Sequence, residues 1–248
     1  MRAELILGLI TAVLSTACQS QGPAVTPSPL PTVAVSPILT PASPEDRQRA
    51  SQLRSQGLQS RQAGQFPQAL TALQQASDLD PQNPSGFVLL GWTYHLAGQA
   101  PPATQALQQA LALDPKSVQA LNALGIVYLV NGQLSLAVKT HQQALALKPD
   151  NEIAHYNLSL AYERLQDYPL SVQHADKASR LEPQNPHPWV AMALAYYQQG
   201  QRAQAQQAYH RALQLDSRYR SAAYLGHLKD AGFSPEQIAT VRHLLANL

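Results

Sequence analysis

Four prolines, Pro81, Pro115, Pro149 and Pro183, stand 34 residues apart, and Ser217 occupies the place where a fifth would fall. Each position closes a similar phrase: SDLDP, LALDP, LALKP and RLEP, then LQLDS. Proline lacks a backbone N–H and its ring clashes with the preceding turn, so a helix reaching one of these positions stops there. Between the prolines Ala, Leu and Gln dominate, and β-branched residues are few beyond residue 45; that composition favours helix over strand. A fixed period of this length implies an all-α array of similar units, each burying its apolar face only against its neighbours.

Counted from Ala50, Pro84, Val118, Glu152 and Pro186, the units share more than their ends. Phe87, Leu90, Gly91 and Tyr94 of the second unit correspond to Leu121, Leu124, Gly125 and Tyr128 of the third. The fourth keeps Leu158, Ser159 and Tyr162 but has His155 at the first site; the fifth has Trp189, Met192, Ala193 and Tyr196. Small residues recur in the second half of each unit at Ala69, Ala103, Ala137, Ser171 and Ala205, where helices can approach closely. Gly64, Gly98, Gly132 and Gly200 fall between the halves, where a helix end commonly needs positive φ.

This arrangement resembles the tetratricopeptide repeat (TPR) family. The resemblance implies an all-α TPR solenoid of stacked helical hairpins, with five units over 44–217 (50–83, 84–117, 118–151, 152–185 and 186–217). Residues 218–248 then read as a degenerate capping hairpin. Tyr224, Leu225 and Leu228 mark a helix over 218–231, and Ser234-Pro235-Glu236-Gln237 has the N-cap, first-turn proline and capping-box glutamine of another.

TPR stacks resemble one another in lining a concave groove with the second, fifth, ninth, twelfth and thirteenth residues of each unit. Here those positions supply an apolar and aromatic candidate groove: Leu58, Val88, Trp92, Ile126, Leu129, Tyr156, Leu160, Leu194 and Tyr197. Arg54 and Arg61 stand at its amino-terminal end. Members that grip a carboxylate do so with Lys, Asn and Arg, a set missing here, so an apolar or amphipathic protein segment is the partner implied. A second reading has part of this face covered by the protein itself, for instance by the last helix.

Residues 1–17 begin with Arg2 and continue as an apolar run from Leu5 to Ala17, too short to span a bilayer comfortably but matching the core of an export signal. The run ends at STAC, and Cys18 is the single cysteine of the chain, so no internal disulfide framework exists. Ser-Thr-Ala-Cys resembles the lipobox of bacterial lipoproteins, with Ser15 where that family usually has Leu. The resemblance implies cleavage before Cys18, a diacylglycerol on its sulfur and an acylated new amino terminus. Two or more chains are what stable anchoring requires. Residues 18–43, rich in Pro, Ser and Thr, cannot build a core and read as a disordered linker, of which Ser20 to Ser43 would reach on the order of 70 Å if extended at ~3.1 Å per residue.

Chemistry-bearing patterns were not found. No His pair flanks a Glu at helical spacing, and there is no phosphate-binding glycine loop or nucleophile elbow. A net charge of +2 with scattered Lys and Arg excludes a nucleic-acid footprint. No cofactor or metal is implied. The expectation is a non-enzymatic, lipid-anchored scaffold of the bacterial envelope that binds a partner segment in its groove and assists an envelope, pilus or secretion assembly. Gln19 after the lipidated cysteine favours the outer membrane. The alternative is a soluble exported accessory factor of a cell-wall or carbohydrate-active enzyme.

Overall fold

The structure, a computed structural model, describes residues 41–247. The signal segment 1–17, Cys18 and the linker as far as residue 40 lie outside the described residues. From Pro44 onward the chain is a succession of helical hairpins: α1 (Pro44–Gln62) with α2 (Phe66–Leu79), α3 (Pro84–Leu96) with α4 (Ala100–Leu113), α5 (Val118–Val130) with α6 (Leu134–Leu147), α7 (Glu152–Arg164) with α8 (Tyr168–Leu181), and α9 (His187–Gln198) with α10 (Arg202–Leu215). Each helix packs on the next, and the first helices of successive hairpins also touch, α3 on α5, α5 on α7 and α7 on α9. Among the described residues no helix is long and apolar enough to cross a membrane.

The hairpin is written into local sequence. The side chains of Ser43, Asn83, Ser117 and Asn151 each accept the backbone N–H three residues on, satisfying an otherwise orphaned donor of α1, α3, α5 or α7. At the other end of α1, Gly64 takes φ +72°. It donates to Arg61 O while Gln65 donates to Ser60 O, the paired bonds of a Schellman turn. The same turn recurs in every hairpin, but in the fourth the left-handed position is held by Gln166, at φ 63°.

Close approach within a hairpin depends on glycine facing a large residue. A Cβ on Gly57 would lie 2.6 Å from Leu73 Cγ, one on Gly91 2.6 Å from Leu107 Cγ, and one on Gly125 2.5 Å from the ring of His141. In the fourth unit the sizes are exchanged: Ser159 stands at the glycine position and Ala175 at the large one. Polar side chains stitch successive units. Asn122 and Asn151 exchange two amide hydrogen bonds of 3.2 and 2.8 Å, and Gln108 and Gln142 donate to the hydroxyls of Tyr128 and Tyr162.

After α10 the chain departs from the expected capping hairpin. The helix expected over 218–231 is instead two short 3-10 helices, Ser217–Arg220 and Tyr224–Lys229. Leu225 and Leu228 are spaced by three, the period of a 3-10 turn, and both are fully buried. Side-chain bonds hold the segment down: Tyr209 donates its hydroxyl hydrogen to Tyr219 O at 2.9 Å, and the His227 ring lies 3.1 Å from the Tyr219 hydroxyl. Gly232, at φ +87°, then turns the chain into the last helix, α11 (Pro235–Ala246). Its capping box forms between Ser234 and Gln237.

Candidate functional site

The nine groove residues read from the sequence fall into three sets: four lie beneath another part of the chain, three line an open cavity and two do neither. Leu129, Leu160 and Leu194 are wholly buried, and what covers them is the carboxyl-terminal segment of the same chain. Gly232 rests on Leu160 and Leu129, close enough that a Cβ there would lie 3.6 and 3.9 Å from their methyl carbons. Phe233, Ile238, Val241 and Leu244 join the same core. Tyr197 meets His243 of α11 edge to face, with ring centres 6.1 Å apart. Leu129, Leu160, Leu194 and Tyr197 are therefore the floor beneath an internal plug rather than a surface offered to a partner. The cause is the apolar face itself: three successive first helices present Leu at their inner positions, and folding the segment from Gly232 through α11 onto them removes that area from water.

The plug is fixed by polar bonds as well as by apolar burial. Gln237 is 2% exposed. Its side-chain N–H groups donate to Leu160 O at 3.2 Å and to Glu163 Oε2 at 2.7 Å, while Gln198 donates to Glu163 Oε1 at 3.3 Å. Burial raises the Glu163 carboxyl above its ordinary pKa, opposed by those two amide bonds and by the Arg164 charge. Tyr156 donates its hydroxyl to Ala231 O at 2.6 Å, and burial raises its pKa too, with Tyr219 adding to the effect. His187, beside Tyr156, Tyr219 and His227, is lowered to about 4, chiefly by burial and then by His227.

Upstream of the plug the groove is open. A cavity of about 690 Å³ is lined by Trp92, Ile126 and Tyr156 from the predicted set, and by His95, Leu96, Val130 and Ile153, with Lys229 to Gly232 forming its far wall. Leu96, Val130 and Ile153 are exposed, at 44, 49 and 40%. These three sit at the thirteenth and second positions of their units, so the same register marks them, although none belongs to the expected groove set. Val88 is half-buried against the core rather than facing this cavity, and Leu58, also half-buried, does not line it. Arg54 is tied to Asp80 by an ion pair of 3.2 Å. Burial lowers the pKa of His95, whose ring lies 4.9 Å from that of Trp92, so this wall is neutral near pH 7. Glu152, Glu182, Lys229 and Asp230 also line the cavity, with Glu152 paired to Lys148 at 3.7 Å.

Comparison with known proteins gives the same architecture. MamA 41-end from Desulfovibrio magneticus RS-1 aligns with a TM-score of 0.63 at 20% identity, over 68% of this chain and 96% of that one. A crystal structure of MamA protein gives 0.60 at 24%, over 69% and 93%, and a further crystal structure of MamA gives 0.59 at 26%, over 65% and 95%. No curated protein matches the sequence. Residues 61–221 match the family described as "Psidin, N-terminal TPR repeats region". With that match spanning more than half of a chain whose hairpins recur every 34 residues, this protein belongs to the tetratricopeptide-repeat family.

Proposed function

We propose that this protein is a non-enzymatic scaffold that captures one apolar segment of a protein partner in the open half of its groove, held at a membrane of the bacterial envelope by lipid on Cys18. TPR proteins bind protein partners, and the observation that carries the finer reading is the exposure of Leu96, Val130 and Ile153 around one cavity. Apolar surface of that kind, bounded by polar residues, marks an interaction site. Helices α3, α5 and α7 supply a floor that suits an amphipathic helix or an extended apolar stretch. Glu182 and Asp230 in the lining favour a segment with basic residues beside its apolar ones, Glu152 being paired with Lys148. The short apolar leader, the STAC sequence and the proline-rich stretch support an exported, lipidated protein held off a surface, with Gln19 favouring the outer membrane and assembly of an envelope machine as its setting.

Two experiments test this reading. Leu96→Glu with Val130→Glu changes two exposed residues and should leave helicity intact while abolishing recovery of the partner that crosslinks to the unaltered protein in its native cells. Recovery of the same partner at the same yield would remove the groove from consideration. Cys18→Ala followed by fractionation tests the anchor: the unaltered protein should sediment with membranes and the variant should not. Equal solubility of the two would favour the soluble exported accessory factor instead.

A further inference from the structure

His155 and His174 belong to the fourth unit, on α7 and α8, and occupy its fourth and twenty-third positions. In the other four units this pair is Leu53 with Ala72, Phe87 with Ala106, Leu121 with Thr140 and Trp189 with Ala208. Only here do both members become histidine, and the structure brings their Nδ1 atoms to 2.9 Å. His155 Nε2 lies 3.0 Å from Pro149 O. A carbonyl oxygen only accepts, so Nε2 carries the hydrogen and the Nδ1 lone pair of His155 points at His174. His174 is held in orientation by Tyr162, whose ring stacks on it at 5.5 Å and 11°.

From this geometry we infer a binding site for a late first-row divalent metal ion, Cu2+, Ni2+ or Zn2+, chelated by the Nδ1 atoms of His155 and His174. Imidazole suits these ions, and a ligating histidine typically donates its other N–H to a backbone carbonyl, as His155 does to Pro149. Metal–nitrogen bonds of about 2.0–2.1 Å place two ligand atoms roughly 2.9 Å apart at the right angle of a tetragonal Cu2+ or Ni2+ centre, the separation already present, and roughly 3.4 Å apart at a tetrahedral Zn2+ centre, for which the rings need to part by about half an ångström. On binding, the hydrogen now shared between the two Nδ1 atoms moves through solvent to His174 Nε2, two water ligands leave the metal, and two metal–nitrogen bonds form; no net proton is lost. Among the described residues no group of three or more His, Cys, Asp or Glu side chains is placed to hold a metal. The protein therefore supplies two ligands and water the rest. Lys177 and Asp150, an ion pair of 2.9 Å, act on His155 in opposite directions with the Lys177 charge ahead, so the pair adds no negative charge to the site and affinity rests on the two imidazoles. A metal here would clasp α7 to α8 within one hairpin.

The test is a copper titration of the full chain prepared without a histidine tag, read by calorimetry and by the electron paramagnetic resonance of bound Cu2+. His155→Phe and His174→Ala place residues that other units carry at these positions, so both variants should fold. The expected result is one equivalent bound with hyperfine structure from two nitrogens, weakened at least about tenfold in either variant, since loss of a second-shell partner alone costs that much. An unaltered protein that shows no two-nitrogen signal, or a double variant that keeps the signal and the affinity, overturns the inference.

Discussion

Tyr156 on α7 donates its hydroxyl hydrogen to the backbone carbonyl of Ala231, 2.6 Å away in space and 75 residues further along the chain. The bond lies at the boundary between the open and the filled halves of the groove, because Tyr156 lines the cavity and Ala231 begins the segment that plugs it. One residue thus lines the open cavity and holds the internal occupant at the same time.

Replacing Tyr156 by Phe should loosen the plug without unfolding the stack. Loss of a hydrogen bond of this kind costs about 1 kcal/mol, and the Ala231 carbonyl can turn to the adjoining cavity for water. Hydrogen exchange should quicken roughly fivefold across residues 231–247 and stay unchanged in α3 to α6. Uniform acceleration through all the hairpins would mean that the segment is not a separate opening unit.

Glu163 makes the plug sensitive to pH in a defined direction. Its carboxyl is raised from 4.5 while Gln237 covers it, chiefly by burial, and returns to the ordinary value when α11 lifts away. The docked form therefore binds the proton more tightly. Docking is strongest below the undocked value and weakens as pH rises through the window up to the raised one. Exchange of α11 amides, corrected for intrinsic rate, should show more opening at pH 8 than at pH 5, and Glu163→Gln should erase that difference. An unchanged difference in the variant would assign the pH effect to another group.

Gln166 holds a left-handed turn, φ 63°, that glycine holds in the other hairpins at φ 72 to 76°. A side chain there costs of order 1 kcal/mol, and the turn's hydrogen bonds, Gln166 N to Glu163 O and Asp167 N to Tyr162 O, use backbone alone. Gln166→Gly should raise the midpoint of urea unfolding by an amount worth up to about 0.5 kcal/mol after the added flexibility of the unfolded chain is offset, with the slope unchanged. A lowered midpoint would show that the glutamine side chain contributes contacts that outweigh the strain.

The hairpins were legible because their determinants are local. Pro81, Pro115 and Pro149 end helices wherever they stand, and Asn83, Ser117 and Asn151 cap the next ones by bonding three residues ahead. Cover by the last helix was one of the two readings open at the groove, and the carboxyl-terminal segment does cover part of it; which residues it covers was not legible, because the determinants are distant. The Leu160 side chain reads as groove-facing from its register, and nothing at that register shows that Gly232 will lie on it. Gln237 is recognisable as a capping-box residue, but its second bond, to Glu163 across 74 residues, follows no sequence rule. The segment after Ser217 carries apolar spacing that serves an α-helix or a 3-10 turn equally, and tertiary bonds at Tyr219 decide between them. His141 escaped notice for the opposite reason: it stands at a position where the repeat asks for bulk, and an aromatic ring satisfies that pattern whatever its polarity.

His141 is wholly buried, and both of its ring nitrogens lack a hydrogen-bond partner among the described residues. Leu73 and Leu107 hold the same position in the first two units, each against a glycine, so a leucine fits the space that Gly125 leaves. A buried polar group without a partner costs roughly 1–3 kcal/mol, and His141→Leu should therefore stabilise the protein by about that amount at pH 8. The gap should widen in acid. Burial lowers the His141 pKa from 6.5 to about 3, so the unfolded chain takes up a proton that the folded chain refuses, and stability falls as pH drops from 6.5 towards 3. The slope in that window is at most ~1.4 kcal/mol per pH unit. Urea unfolding at pH 8, 6, 5 and 4 should give two curves that diverge below pH 6.5, the variant losing less. Parallel curves would show that the folded protein admits a proton, or water, to His141.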